Sequence, residues 1–378
     1  MSRETIFNES TPLKQIKLTV GGQEIPRDDI QTVEIKYNMF NPSVDAVVIF
    51  RDTFNLKSSD IVKFDGSTKI VIEMTDYQRE MWRNEFVVQE SSISTGSREV
   101  FITLKCVDSA SHCLFKYTKA GFSKQTATET LAGKLGEAGV QSILVANQKR
   151  VVVAPPDYEP GEWTIPGAVD YYSFFPSQLR KECSWLYQTH YEYRIGKIDI
   201  GSLVEMPHEY TTDATYNPYM FKIHEHVLKE PSKLTIPKLD VIRYTGKKQS
   251  RDLVSVEDVM GSIVLNGNAD AFKGVQDDTG NTMAASTEPL ACQLYDLMEP
   301  MLKVNQLAIW TVGSFKFGDV GQKVKVKIGA DTVFNKNHIQ GNQTASGYYI
   351  CTGLTDYITG EKFIQKHILS RFDTPKVV

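Results

Sequence analysis

The sequence predicts an α+β protein that is mainly β, in which two small related antiparallel β-barrels flank a mixed α/β middle region. Near both ends, apolar and polar residues alternate in short runs separated by glycine turns, and helical periodicity is confined to the middle and to one segment before the last strands. In Lys323–Ile328, for example, three lysines alternate with three β-branched residues, which places all the apolar side chains on one face of a strand.

The first unit consists of short strands. Ile16–Val20 alternates and is followed by Gly21-Gly22, a pair typical of a tight turn. Further strands are predicted at 33–37, 45–50 and 70–74, and a hairpin over Phe86–Cys106 closes the unit. We therefore predict a first barrel domain over residues 1–110.

The middle region, predicted over residues 111–240, has helical signals. Thr126 and Glu129 form a capping box for a helix that Gly139 can end. The proline-rich stretch Val153–Gly167 predicts a linker, and Tyr171–Tyr187 predicts a second helix. A short hairpin is expected at 194–200, and the prolines that follow predict irregular chain as far as residue 240.

The last unit, predicted over residues 241–378, resembles the first. It contains a helix at about 288–304, and its last hairpin turns at Gly360, as the first hairpin turns at Gly96. Phe64-Asp65-Gly66 precedes one alternating strand as Phe317–Gly321 precedes the other. These matches predict an internal duplication, and a chance likeness of two turns and two strands is the alternative.

Composition limits the classes of function. The chain has 378 residues, is 41% hydrophobic and 23% charged, and carries a formal net charge of -4, so no specific nucleic acid partner is expected. Its five cysteines are odd in number and widely spaced, which favours free thiols made in a reducing cytoplasm. Neither a signal peptide nor an apolar run long enough to cross a bilayer is visible, so no membrane insertion is expected.

A search for reactive motifs finds little. His224 and His226 could face the same side of a strand and bind a metal if His208 or Glu209 supplied a further ligand, which leaves a metal-dependent hydrolase as one alternative. Two solvent-facing histidines are the other explanation. The aromatic run Tyr171–Phe175 could stack on sugars, as in a trimeric receptor- or carbohydrate-binding tail protein, or could be core. We predict no catalytic residue, no cofactor and no bound metal.

The order of these parts resembles a known family. A barrel strand runs into Cys106-Val107-Asp108, a helix follows Lys124-Gln125-Thr126, Trp163–Pro166 precedes a second helix, and Thr311–Phe315 leads to a last hairpin over Tyr348–Phe372. This layout is similar to the central baseplate hub of contractile-tailed phages, including the T-even hub subunit, late-control protein D and the N-terminal part of the type VI secretion spike protein.

The resemblance implies a structural, non-enzymatic role in the virion tail baseplate, with synthesis and assembly in the host cytoplasm. Three chains with two barrels each would make a ring that adapts a sixfold tail tube to a threefold spike and leaves a lumen for ejected cargo. The implied partners are the chain itself, the tail tube or its initiator, other baseplate proteins and a separate spike protein, because this chain stops at Val378.

Interface candidates come from the two matching units. The lysine row of the last unit is either a solvated strand face or a contact surface for an acidic partner. The candidates are Phe64, Phe86, Phe101, Phe317, Lys323, Lys325, Lys327, Tyr348, Ile350 and Phe363.

Overall fold

The structure is a computed structural model. It describes residues 11–56, 67–96, 99–115, 121–123, 127–154, 163–165, 168–180, 184–197, 205–211, 226–228, 239–245, 248–254, 302, 306–315, 319–327, 347–360 and 362–370.

The N-terminal unit contains eight strands and one turn of 3-10 helix at Arg27–Asp29. The strands are β1 (Thr11–Pro12), β2 (Gln15–Val20), β3 (Gln23–Ile25), β4 (Ile30–Asn38), β5 (Asp45–Arg51), β6 (Lys69–Thr75), β7 (Met81–Thr95) and β8 (Val100–Asp108).

Helices and short strands follow, and then the strands of the last unit. The middle elements are α1 (Ser109–Leu114), β9 (Gly121–Ser123), α2 (Ala127–Ala138), α3 (Val140–Ala146), β10 (Arg150–Ala154), β11 (Trp163–Ile165), α4 (Tyr171–Arg180), β12 (Ser184–Gln188) and β13 (Glu192–Lys197). The last strands are β14 (Glu205–Thr211), β15 (His226–Leu228), β16 (Leu239–Thr245), β17 (Lys248–Val254), β18 (Gln306–Val312), β19 (Lys323–Lys327), β20 (Gly347–Thr359) and β21 (Lys362–Ser370).

One large sheet joins the two ends of the chain. Its strand order is β15-β18-β21-β20-β4-β5-β8-β7-β6-β2-β3, with β1 beside β21 and β14 beside β19. The predicted class, α+β and mainly β with antiparallel sheets, is confirmed. Among the described residues the strand path is open, with β15 and β3 at its ends, so the closure of either unit into a barrel stays a prediction.

The alternation of the strands explains the core. In β2, β5 and β6 every second residue is buried, as the period-two pattern predicted. These side chains form one apolar cluster that also takes in Ile350, Leu354 and Phe363 from the last unit. The two ends of the chain therefore share a core as well as a sheet.

The two units have the same order of strand pairing. In the first, β6 pairs with β7, β7 with β8, β8 with β5 and β5 with β4. In the last, β19 pairs with β20, β20 with β21, β21 with β18 and β18 with β15. Each pairing is antiparallel in both units. The structural repeat agrees with the predicted duplication, whereas common ancestry of the units stays a prediction.

Both long strands carry a β-bulge at the matching place. In β7 the register shifts at Gln89, between Val88 and Glu90, and in β20 it shifts at Thr352, between Cys351 and Gly353. A bulge inserts one unpaired residue, bends the strand and increases its twist. Each long strand can therefore serve one neighbour before its bulge and another after it.

The predicted second helix is wrong in its last part. Residues 171–180 are helical, but Ser184–Tyr187 lies in β12, where every residue is buried. Trp185 and Tyr187 pack into the large core, whereas Leu186 joins the smaller core formed with the helices. A strand buried on both faces has no alternation, so its short apolar run was mistaken for helix.

Some of the other elements in the middle region were predicted from the sequence and some were not. The helix that ends at Ala138 is confirmed, and Gly139 follows it with a φ of 83°. The short helices α1 and α3 were not predicted. Leu302 is helical and buried, while the rest of the helix predicted at about 288–304 lies outside the described residues.

Strand pairing crosses the domain boundary that the sequence suggested at residue 240. Strands β14 and β15 precede that boundary, yet they pair with β19 and β18 of the last unit. Strands β16 and β17 follow it and form a separate hairpin. Over the ranges that the structure describes, no helix has the length and apolar character needed to cross a bilayer.

Candidate junction and assembly edges

The two β units are joined by the pairing of β4 with β20. Six residue pairs run antiparallel from Gly353 opposite Asn38 to Ile358 opposite Val33. They use the part of β20 that follows its bulge, whereas the part before the bulge pairs with β19 along the same edge. The bulge thus divides one edge of β20 between its own unit and the other unit.

Backbone contacts at the bulge fix this arrangement. Met39 N donates to Thr352 O at 2.9 Å, and the Thr352 hydroxyl lies 2.7 Å from that of Ser370. On the other side, Gly321 N donates to Cys351 O at 2.7 Å. The extra residue therefore contacts both units, and these hydrogen bonds give its polar groups partners where the ladder is interrupted.

A buried polar cluster lies beside this junction. His190 Nε2 is 2.8 Å from an oxygen of Asp356 in β20, and His190 Nδ1 is 3.2 Å from one of Asp319. The same Asp319 oxygen accepts a hydrogen bond from the His190 backbone at 2.9 Å. His190 and Asp356 are fully buried. A histidine of the middle region thus links the segments on either side of β19.

The charges in this cluster follow from its surroundings. Burial acts to lower the pKa of His190, but the carboxylates of Asp319 and Asp356 outweigh it and raise that pKa to about 10. Burial acts to raise the pKa of Asp319, and His190 lowers it below its ordinary value. Neighbouring His367 is also buried, and burial together with the charge of His190 lowers its pKa to about 3. At neutral pH, therefore, His190 is positively charged and faces the carboxylates of Asp319 and Asp356, while His367 is neutral.

Further hydrogen bonds extend the cluster into both units. Gln365 Nε2 donates to Asp356 at 2.8 Å, and its Oε1 accepts from the Ser314 backbone at 3.1 Å. Phe315 N donates at 3.0 Å to Asp76, which lies in the turn between β6 and β7 of the first unit. These bonds satisfy polar groups that would be costly to bury alone.

Aromatic rings surround the histidine. The ring centroids of Tyr37 and Phe315 lie 4.9 and 5.2 Å from that of His190. Phe315 also stacks on Trp82 at 5.9 Å and contacts Phe363 at 5.0 Å. These rings come from both units and pack around His190, and a partly open pocket lined by Phe315, Asp319 and Tyr191 lies beside them.

The predicted interface residues fall into three groups. Phe86, Ile350 and Phe363 are buried in the core of this chain, which does not favour a role between chains. Phe101 is half-buried in β8. Lys323, Lys325, Lys327 and Tyr348 lie in paired strands whose side chains are outside the description, and Phe64 and Phe317 lie outside the described residues. Their part in an interface stays a prediction.

The structure bears on two alternatives that the sequence left open, a histidine metal site and an aromatic run that stacks on sugars. Within the ranges described, no three His, Cys, Asp or Glu side chains are placed to hold a metal ion. His226 lies in β15, and His224 falls outside the described residues. Tyr171, Phe174 and Phe175 are buried in the smaller core, so this aromatic run packs the fold and is not exposed for stacking on a sugar.

Sequence reasoning missed the central histidine. His190 lies in a short turn between β12 and β13 and is 166 positions from Asp356. No local spacing links the two, so only the tertiary structure reveals the cluster. One signal in the sequence could have indicated a buried polar cluster. Asp356 interrupts the apolar face of β20, where Leu354 and Ile358 on either side are buried.

Known structures share this architecture. The tail protein from Neisseria meningitidis MC58 superposes with a TM-score of 0.59 at 10% identity, covering 95% of this chain and 97% of that one. The 43 kDa tail protein of prophage MuSo2 from Shewanella oneidensis gives a TM-score of 0.57 at 10% identity, covering 94% and 98%. This chain has a phage tail-protein fold. No family model and no curated protein sequence matches it.

The tail-protein fold confirms, at the level of fold, the resemblance predicted from the sequence. It extends over nearly the whole of this chain and of both tail proteins. At 10% identity, no residue role can be transferred from either structure, so the function must be argued from the geometry of this chain.

Proposed function

We propose that this chain is a structural subunit of a tail baseplate hub. Three copies form a ring in which each copy supplies two β units, so that six similar units surround a lumen. The ring adapts a sixfold tail tube on one side to a threefold spike on the other.

The observation that carries this proposal is the repeated order of strand pairing, with a bulge at the matching place in each long strand. A ring with six similar positions and three chains needs two similar units in each chain. The β4–β20 pairing supplies the contact between two such units inside the chain. The phage tail-protein fold agrees with this role.

The junction suits a part that must hold its shape. In its cluster, His190 and Asp356 are fully buried, and Asp319 accepts hydrogen bonds from the backbone of His190 and Val320. Such groups are costly to separate once their water has been removed, which favours one fixed arrangement of the two units. The hub works by holding a geometry, and no catalytic step is assigned to it.

The proposed partners follow from this role. The tail tube or its initiator contacts the sixfold side, and a separate spike protein contacts the threefold side. Other baseplate proteins surround the ring, which is assembled in the host cytoplasm and resides in the virion tail. The row of Lys323, Lys325 and Lys327 on β19 remains the candidate surface for an acidic partner.

Mass measurement with imaging tests the proposal. We expect the full-length chain to have the mass of a trimer by light scattering across a tenfold range of concentration. Class averages in electron microscopy should show a threefold ring with six lobes around a central opening. A chain that remains monomeric throughout that range, or a ring built from six chains, would overturn the proposal.

A further inference from the structure

One edge of the sheet is open at the place where the repeat predicts a partner. The first half of β7, up to Val87, pairs with β6 on one edge, while the opposite edge of β7 pairs with β8. After the bulge, β7 continues over Glu90–Thr95, beyond the end of its pairing with β6, so that the edge of β7 that faced β6 is extended by these residues. Glu90–Thr95 pairs with β8 on the opposite edge, but in the part of the chain that the structure describes no strand pairs with this edge.

The matching edge in the other unit is covered. Leu354, Asp356 and Ile358 follow the bulge of β20, pair with β4 and are buried. At the equivalent positions of β7, Ile93 is 45% exposed and Thr95 is exposed as well. An exposed edge with a large apolar residue is a template for pairing with another strand.

We infer that this open edge of β7, residues 90–95, pairs with strand β15 of a neighbouring copy of the same chain. The inference rests on the proposed hub and names the contact between its chains. Within each chain, β20 of the second unit pairs with β4 of the first unit after its bulge. Between chains, β7 of the first unit would pair in the same way with β15 in the second unit of the neighbouring copy.

The repeat identifies β15 as the counterpart of β4. Just before each bulge, Val88 pairs with Cys106 and Cys351 pairs with Leu369. Cys106 then pairs with Ala46 of β5, and Leu369 pairs with Leu307 of β18. Strands β5 and β18 therefore match, and the strands on their far sides are β4 and β15.

The same correspondence fixes a register. Ala46 pairs with Ile35, and Leu307 pairs with Leu228, so Ile35 and Leu228 are equivalent. Ile35 also pairs with Asp356, the fourth residue after the bulge in β20. The fourth residue after the bulge in β7 is Ile93. Between chains, Ile93 is therefore opposite Leu228, and Ser94 is opposite Val227 of the neighbouring copy.

The backbone of β7 is oriented for this pairing. Gly96 N donates to Glu99 O at 2.8 Å, which makes these two a hydrogen-bonded pair of the β7–β8 hairpin. Because bonding alternates along an antiparallel ladder, the N–H groups of Ile93 and Thr95 point away from β8. They are free to bond a strand on the open edge.

The matched junction shows which pair to cross-link. Met39 N donates to Thr352 O, so by alternation Tyr357 and Glu34 form a non-hydrogen-bonded pair. Ser94 and Val227 are the equivalent positions. Side chains of such pairs approach most closely, which suits a disulfide between strands.

The experiment combines Ser94→Cys with Val227→Cys in the full-length chain under mild oxidation. We expect most of the protein to run as covalent dimers and trimers on a non-reducing gel, and to return to single chains on reduction. Wild type and each single variant control for the native cysteines. Gln23→Cys with Val227→Cys tests an alternative contact in which β15 pairs with β3 of the neighbouring copy, because Gln23 lies in β3, the strand at the other end of the sheet.

The outcomes separate this inference from the hub proposal. A trimer by light scattering without the Ser94–Val227 cross-link, or with the Gln23–Val227 cross-link in its place, overturns the inference and leaves the hub standing. Efficient cross-linking into closed rings of another size supports the edge pairing and overturns the trimer.

A proline variant gives a second test that needs no new cysteine. Ile93→Pro removes one outward N–H that β8 does not use, and proline is tolerated on such edges. We expect a chain that keeps its circular dichroism spectrum and dissociates at a concentration at least tenfold higher than wild type, whereas Ile93→Val dissociates as wild type does. Unchanged assembly of the proline variant would overturn the inference.

Discussion

His190 Nε2 lies 2.8 Å from the carboxylate of Asp356, although the two residues are far apart in the chain and come from different regions of the fold. This contact ties the turn between β12 and β13 to the strand that joins the two β units. It makes the middle region part of the junction and gives the cluster measurable consequences for stability.

Replacing the histidine should destabilise the chain strongly. His190→Gln leaves the partly exposed carboxylate of Asp319 and the buried carboxylate of Asp356 without their cation, and we expect a loss of about 3 to 5 kcal/mol in the free energy of unfolding. Urea unfolding at a fixed protein concentration measures it, since the proposed assembly would also contribute to stability. His112→Gln is the control, because His112 is exposed. Equal losses in the free energy of unfolding for the two variants would contradict the ion pairing of His190 with Asp319 and Asp356.

Stability should also fall as pH rises above the ordinary pKa of histidine. The folded pKa of His190 is about 10, so below 6.5 its stabilisation is fully present, and it is lost as pH rises toward 10. Between pH 6.5 and 7.5 we expect the wild type to lose about 1 kcal/mol relative to His190→Gln. Burial lowers the pKa of Lys149 to about 8, so its opposite effect enters mainly above this window.

Urea unfolding of both proteins at the two pH values checks this expectation. Neutral His367, whose folded pKa is about 3, gives a small rise in stability over the same window, and the comparison removes it because both proteins contain it. A wild-type advantage that stays constant from pH 6.5 to 7.5 would contradict the charged state assigned to His190.

A methyl group at Gly321 should be costly. Its φ is 79°, and a Cβ there would lie 2.1 Å from the Tyr187 hydroxyl oxygen, so Gly321→Ala meets both backbone strain and a clash. We expect a loss of about 3 kcal/mol or more in the free energy of unfolding. Gly22→Ala is the matched control, since Gly22 has a φ of 89° with open space around it, and should cost about 1 to 2 kcal/mol. Thermal and urea unfolding of the pair would refute the clash if the two losses were equal.

Truncating Phe363 should reveal its role in the core. The residue is buried and packs against Phe315, so Phe363→Ala should cost about 3 to 5 kcal/mol in the free energy of unfolding. Phe54→Ala, at a residue that is 45% exposed, should have a small effect. If Phe363→Ala changed only the concentration at which chains associate, the residue would act at an interface, as its sequence pattern suggested.

The sequence was most informative where local rules decide the structure. Alternation in Gln15–Val20 and Lys323–Lys327 and the turn at Gly360, whose φ is 58°, specified strands and turns directly. It was least informative where a residue serves two neighbours. Trp185 and Leu186 face different cores in one strand, and Asp356 takes its meaning from a distant histidine. Such roles depend on contacts that no short window contains.

The presence of two units on one chain also restricts the ring sizes that the proposed assembly could adopt. Because one continuous chain carries both units, a closed ring of whole chains can contain only an even number of units. Rings with five or seven positions, which a single-unit subunit could form by a small change in curvature, are excluded by parity. In the proposed hub, the continuous chain between the two units would thus protect the match to a sixfold tube before any partner binds.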